Sequence, residues 1–220
     1  MSPTLTSHPR ASGDAHVSID YQALLDRILD AVDQQAYFTP TARLDGGKGT
    51  VLPAFQAALT DPDFDPDEIR AYVHREFRAG RIDRVVLLSA LHAVACHPKV
   101  GEWEEAARLA GEQELAALEL GGPHLQANLA SVDRHRGVLA FLRQHYDVAL
   151  DYFARAFERE RSAENLTNIL CTMLRLGEEA EAWDLLREVR RAFPPHLVAE
   201  IDDSIARDPD LALLRTGDPE

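Results

Sequence analysis

Residues that interrupt helices recur at short, nearly regular intervals along this chain, and this feature limits its fold more than any other. Between them the apolar positions follow helical spacing, and no stretch alternates apolar and polar residues with the period of two that a half-buried strand requires. The predicted helices span 66–79, 83–97, 102–120, 123–143, 146–160, 163–176, 178–192 and 196–207. Because only a few residues connect neighbouring helices, the sequence predicts an all-α fold of consecutive antiparallel hairpins.

The helix over 66–79 has the clearest local signals. Asp65 is a suitable N-cap, Pro66 fits the first helical position, and Glu68 completes a capping box. Gly80 supplies the stop. Asp61, Asp63 and Asp65 also alternate like calcium ligands, but the glycine and the final glutamate of a calcium-binding loop are missing, so capping is the better interpretation.

The two ends of the chain have a different character. Residues 1–17, rich in Ser, Thr, Pro and His, are predicted to be a disordered tail, and residues 209–220 a C-terminal tail. Residues 18–80 form an N-terminal helical segment, with an amphipathic helix over 18–36 and a loop over 39–50. That loop, LDGGKGT, lacks the first glycine and the Ser or Thr of a phosphate-binding loop, so a flexible loop is expected.

A set of small and aromatic residues repeats along the second half of the chain. The clearest copy runs from 130 to 163, a second covers 163–196, and a weaker one surrounds Gly101-Glu102-Trp103 with Ala106. The residues of the first copy are Gly137, Tyr146, Ala149, Phe153 and Ala156. Those of the second are Leu170, Gly177, Ala182, Leu186, Val189 and Pro194. These spacings resemble the tetratricopeptide repeat over about residues 85–207.

The resemblance implies an α-solenoid over 81–208, in which antiparallel helix hairpins stack and the helix 196–207 caps the last apolar face. Small residues such as Gly137 and Ala149 would let two helices approach closely, with Phe153 filling the space between pairs. Residues 18–80 do not match the motif. They are either a degenerate pair of hairpins that caps the array or a separate adaptor.

In this family the first helices of successive repeats line a concave groove that holds an extended peptide or a helix. The groove residues implied here are Arg134, Val138, Phe141, Leu142, Thr167, Asn168, Cys171, Leu174 and Arg175. The four large apolar members of this set are equally well explained as core. Arg134 and Arg175 would give the groove a positive character, which favours a partner with acidic and apolar features. Because Val138 stands where a carboxylate clamp needs Asn, recognition of a terminal carboxylate is not expected.

Composition limits the compartment and the partners. With 23 Lys and Arg against 37 Asp and Glu, the formal net charge is −14, which argues against nucleic acid as a partner. The most apolar stretch, 85–96, is too short to insert into a membrane, and the N-terminus lacks the apolar run of a secretory signal. Two cysteines are no disulfide framework, so a cytoplasmic location is expected.

Two groups of residues are candidates for a reactive or metal-binding site. His92 and Cys96 have the i, i+4 spacing of two metal ligands, but no further ligand stands at a recognisable spacing. The polar run 133–136, with His145 nearby, could supply an acid and a base, but no nucleophile or oxyanion partner can be named. The prediction is therefore no catalytic residue, no metal and no cofactor.

The function expected from these observations is a non-catalytic scaffold or adaptor that binds a protein or peptide partner. A chaperone that shields an apolar segment of a secreted or assembling partner is the first alternative. An enzyme or metal-binding helical protein is the second. Assembly of several copies of the chain is left open.

Overall fold

The computed structural model describes residues 20, 22–24, 26–28, 55 and 57–215. Between residues 66 and 215 the chain forms eight α-helices and a terminal 3-10 helix. The helices are α1 (Pro66–Arg78), α2 (Arg84–Cys96), α3 (Trp103–Leu120), α4 (Leu125–Leu142), α5 (Tyr146–Arg159), α6 (Ala163–Leu176), α7 (Glu179–Ala192) and α8 (Pro195–Arg207), and the 3-10 helix is Pro209–Arg215. The described residues contain no strand, so the all-α prediction is confirmed.

The helix ends lie within two residues of their predicted positions, and at three helix starts (α1, α2 and α6) a side chain caps free backbone N–H groups. The Asp65 carboxylate accepts hydrogen bonds from the backbone N–H groups of Asp67 and Glu68 at the start of α1. The Ser162 hydroxyl accepts one at the start of α6. Gly177 ends α6 in the left-handed conformation, with φ of 84°, which favours glycine.

Each helix packs against the next one along the chain. In addition, α2 contacts α4, and α6 contacts α8. Buried apolar side chains form three clusters: one joins Phe55 and Phe64 to α1 and α2, one lies among α2, α3 and α4, and the largest extends from α4 to the 3-10 helix. The core is therefore distributed along the chain rather than gathered at one centre.

The closest approach between α4 and α5 occurs at Gly137. The ring of Phe153 lies against the backbone there, and a Cβ built on Gly137 would be 2.6 Å from Cε1 of that ring. Ala149, one turn earlier on α5, is also completely buried. The close approach of α4 and α5 expected from the small residues is thus present at Gly137, and Phe153 packs there, within this helix pair.

The N-terminal segment 18–80 contributes to two different clusters. Leu24 and Ile28, in the helical residues 22–24 and 26–28, are buried in the largest cluster, and Arg27 Nε lies 2.6 Å from Glu158 Oε1 on α5. Phe55 packs with α1 and α2 instead. The predicted tail 1–17 and the loop 39–50 lie outside the described residues.

Residues that follow α8 also pack against the core. Within the segment assigned to a C-terminal tail, Leu211 and Leu214 of the 3-10 helix are buried in the largest cluster. Arg215 Nε donates a hydrogen bond of 2.6 Å to the carbonyl of Ile205. The 3-10 helix also contacts α6 and α8, so the apolar pair at spacing i, i+3 closes this end of the core.

Among the described helices, none combines the length and the apolar character needed to cross a membrane.

Candidate partner-binding groove

One side of α4 carries the first half of the predicted groove. Val138 and Phe141 are half-buried and pack against the largest core cluster, and Leu142 keeps 39% of its surface exposed. The Phe141 ring meets the Tyr146 ring edge-on, with 5.2 Å between the ring centres. Spacings of three and four residues place Arg134, Val138 and the 141–142 pair on one side of the helix. This side is thus partly core and partly open surface.

The second half lies on α6. Thr167, Asn168, Cys171 and Leu174 are half-buried, and Arg175 is exposed. Cys171 and Leu174 pack against the largest cluster with their inner surfaces. The five positions recur at helical spacing and form one stripe along α6. None of the nine predicted groove residues is fully buried, so all of them reach the surface.

Arg134 joins the two helices and is almost covered in doing so. Its Nη1 donates a hydrogen bond of 3.2 Å to Oδ1 of Asn165 on α6. Its guanidinium also lies 3.6 Å from Glu160 Oε2 and 3.3 Å from Glu164 Oε1, and only 17% of the side chain is exposed. Burial raises the pKa of Glu160, and the adjacent Arg134 opposes that change. Arg134 is consequently a bridge between α4 and α6 rather than a free cation.

Residues after α8 occupy the other end of the α6 stripe. Arg175 Nη2 lies 2.6 Å from Asp210 Oδ1 in the 3-10 helix. The Cys171 sulfur and carboxylate oxygens of Asp208 and Asp210 are all within 4.8 Å of one another. Burial, with a contribution from the two carboxylates, raises the pKa of the Cys171 thiol to about 12. At neutral pH the thiol is therefore protonated and contributes no charge.

These ion pairs change the expected charge of the groove. Arg134 and Arg175 bring two positive charges, and Arg215, which donates a hydrogen bond to the Asp208 carbonyl, brings a third, whereas the residues in contact with the stripe bring four carboxylates. The carboxylates belong to Glu160, Glu164, Asp208 and Asp210. The expectation of a positive groove is corrected: Arg134 and Arg175 are both paired, and carboxylates are in excess.

His92 and Cys96, considered as metal ligands, lie in a buried network between α2, α3 and α4. The His92 Nε2 is 3.6 Å from the Cys96 sulfur, and its ring stacks on that of His135 with 4.3 Å between centres. His135 Nδ1 is 2.7 Å from Oε1 of Gln113. Burial lowers the pKa of His92 to about 4 and that of His135 well below its usual range, and raises the pKa of Cys96 to about 11. The network is uncharged at neutral pH.

The geometry of this network differs from that of a metal site. Imidazole ligands of one metal ion direct their in-plane nitrogen lone pairs towards a common centre, whereas these two rings stack face to face at an interplanar angle of 14°. In the described part of the chain, three potential ligands come within 4.8 Å of one another at Cys171, Asp208 and Asp210. Arg175 already pairs with one of those carboxylates.

The polar run 133–136 does not converge on one site. Asp133 is buried, and its carboxylate accepts a hydrogen bond of 2.8 Å from Arg159 on α5. His135 belongs to the buried network, and His145 is exposed. Residues that are adjacent in the sequence point in different directions around α4 and find separate partners.

A further cleft of about 410 Å³ lies between α1, α2 and α3. Leucines and Phe77 form its floor, and paired Arg and Glu side chains form its rim. Its lining residues include Phe77, Leu87, Leu88, Leu91, Leu109, Arg70, Arg84 and Arg108. No motif marked it in the sequence, because three separate helices supply its walls.

Sequence reasoning missed the acidic residues of the groove. One of them carried a signal: Glu164 precedes Thr167 by three residues and so belongs to the same side of α6. Asp208 and Asp210 had no such signal in the sequence, because they reach Cys171 and Arg175 only through the fold of α8 and the 3-10 helix.

Comparison with protein-family models, with curated proteins and with solved structures found no match to this chain.

Proposed function

We propose that this chain is a non-catalytic interaction protein, a scaffold or adaptor built as a tetratricopeptide-like α-solenoid that holds a polypeptide partner along α4 and α6. The order of helix hairpins supports the solenoid, as do the contacts of α2 with α4 and of α6 with α8. The packing of Phe153 on Gly137 supports the repeat that the sequence resembles.

The observation that carries the proposal is the pair of half-exposed stripes on α4 and α6. Within these stripes Val138, Phe141, Leu142 and Leu174 are partly open to solvent. Polar residues capable of hydrogen bonding, Thr167 and Asn168 among them, lie beside these side chains. An apolar floor with polar groups around it is the usual composition of a protein-binding surface.

This mixture favours an adaptor over the chaperone alternative. A surface that shields apolar segments of many partners needs a wide apolar area, whereas the α6 stripe alternates apolar and polar residues and has ion pairs at both ends. The enzyme or metal-binding alternative would use the buried network around His92 and Cys96 or the run 133–136, and neither arrangement brings an acid, a base and an open cavity together.

The test is affinity capture from the native cell with full-length protein. The groove variant carries Leu142→Arg and Asn168→Arg, which place two bulky cations on the α4 and α6 stripes. The control carries Ala71→Arg and Ala107→Arg, at exposed positions of α1 and α3 that do not line the cleft between these helices. Both variants therefore gain two positive charges at surface positions, and circular dichroism checks that both retain the wild-type helix content.

We expect the control to recover the same partner as wild type, and the groove variant to lose it. Recovery of that partner in equal amounts by all three proteins would show that the α4 and α6 stripes are not the binding surface.

A further inference from the structure

We propose that the groove of α4 and α6 selects a segment with basic residues on both sides of an apolar one, rather than an acidic segment. This inference rests on the proposed function and adds the chemical class of the partner. It follows from the carboxylates that surround the stripe, which are in excess over the three arginines.

The carboxylates are placed at the two ends of the α6 stripe. Glu164 lies in the first turn of α6, with its side chain 48% exposed and 3.3 Å from Arg134. At the other end, Asp210 lies 2.6 Å from Arg175 and keeps 41% of its side chain exposed, and Asp208 is close to it. Arg134 is 83% covered, so the charge that an incoming segment meets at the first end is chiefly that of the Glu164 carboxylate.

The distance between these two ends sets the spacing of the basic residues. Eleven positions separate Glu164 from Arg175, which pairs with Asp210, and with a helical rise of about 1.5 Å per residue they lie about 16 Å apart along α6. An extended peptide advances about 3.3 Å per residue, and its side chains point alternately to opposite faces. Residues i and i+4 share one face and lie about 13 Å apart, so a segment with the long side chains of Lys or Arg at these two positions places one cation near each acidic end.

The middle of the stripe suits an apolar residue between those cations. Cys171 is protonated at neutral pH, because burial and the nearby carboxylates raise its pKa to about 12. Leu174 on α6 and Val138 on α4 are half-buried and offer apolar surface. A charged residue in that position would lose its hydration without a partner, which is unfavourable.

The experiment measures the binding of three labelled pools of 12-residue peptides to full-length protein by fluorescence anisotropy. The pools share the same apolar positions and differ only at the flanking positions, which hold Arg, Gln or Glu. Wild type is compared with Glu164→Gln and with the matched control Glu104→Gln. Glu104 lies exposed in the first turn of α3, as Glu164 does in α6, so both variants lose one negative charge at the same kind of helix position.

We expect the Arg pool to bind most tightly and the Glu pool most weakly. Glu164→Gln weakens binding of the Arg pool by about two- to fivefold, the range of a partly exposed ion pair, while Glu104→Gln leaves it unchanged. Equal effects of the two variants would mean that only the overall charge of −14 attracts the peptides, and would overturn the inference.

Two further outcomes separate this inference from the proposed function. Equal binding of all three pools, weakened by the groove variant with Leu142→Arg and Asn168→Arg, would overturn the basic preference and leave the groove in place. Binding of none of the pools, together with unchanged partner capture by that variant, would overturn both.

Discussion

The ring of Phe153 on α5 lies against the backbone of Gly137 on α4, so closely that a Cβ at position 137 would come within 2.6 Å of the ring. No Cβ is tolerated at that distance from a carbon atom, and Phe153 is itself 2% exposed and cannot move freely. The distance between α4 and α5, and with it the position of the α4 side of the groove, therefore depends on the absence of a side chain at residue 137.

Gly137→Ala is expected to destabilise the protein by about 1–3 kcal/mol, the usual cost of overpacking a core. Urea unfolding at pH 7 measures the change. The control is Gly111→Ala on α3, where an added Cβ meets nothing within 4 Å. Because alanine has the higher helix propensity, that variant should be equal in stability or up to about 1 kcal/mol more stable. Equal effects at both glycines would contradict the proposed role of Phe153.

The stacked pair of His92 and His135 predicts a loss of stability in mild acid. Folding holds the pKa of His92 near 4 and that of His135 well below its usual value of 6.5. Below pH 6.5 the unfolded chain therefore binds more protons than the folded one. The contribution of the pair to the free energy of unfolding is complete above pH 6.5. It decreases as the pH falls from 6.5 towards 4, by up to about 1.4 kcal/mol per pH unit for each imidazole.

Urea unfolding at several pH values between 7.5 and about 4.5 tests this expectation. His92→Leu should remove about half of the decrease that the pair causes, because one of the two imidazoles remains. His124→Leu, at an exposed position before α4, should leave the pH profile unchanged. A profile that His92→Leu does not alter would show that the acid sensitivity comes from other groups.

Asp133 is expected to stabilise the contact between α4 and α5 through its charge. Its carboxylate is 7% exposed and lies 2.8 Å from Arg159 and 3.7 Å from Arg155. Asp133→Asn keeps the shape of the side chain but leaves two partly exposed arginines without their buried partner, and a loss of about 1–3 kcal/mol is expected. Asp151→Asn removes a carboxylate that is 60% exposed and also pairs with Arg155. That control should change stability by less than about 0.5 kcal/mol.

The 3-10 helix is expected to be an integral part of the core. Leu211 is completely buried, so Leu211→Ala should cost about 2–5 kcal/mol in thermal or chemical unfolding. Leu213, two residues later, is 51% exposed, and Leu213→Ala should have an effect below about 0.5 kcal/mol. If both substitutions were equally mild, the segment 209–215 would not contribute to the stability of the protein.

The helices and their ends could be predicted from the sequence because the signals are local. The carboxylate of Asp65 and the hydroxyl of Ser162 bond to backbone groups two or three residues away, and Gly177 adopts a left-handed conformation at its own position. Likewise, the residues that share one side of α4 or α6 follow from 3.6 residues per turn. The all-α class, the helix limits and the residues that share one side of α4 or α6 were therefore determined by the sequence alone.

The partners of those side chains were decided by the tertiary structure. Arg134 meets Glu160 and Asn165, and Arg175 meets Asp210, 35 residues further along the chain. His92 and His135 stack although 43 positions separate them in the sequence. Such contacts depend on how helices cross and on where the chain returns, which no local pattern encodes. The sequence thus placed Arg134 and Arg175 on the stripes of the proposed groove, but only the packing of α5, α6 and the 3-10 helix brought an excess of carboxylates beside them.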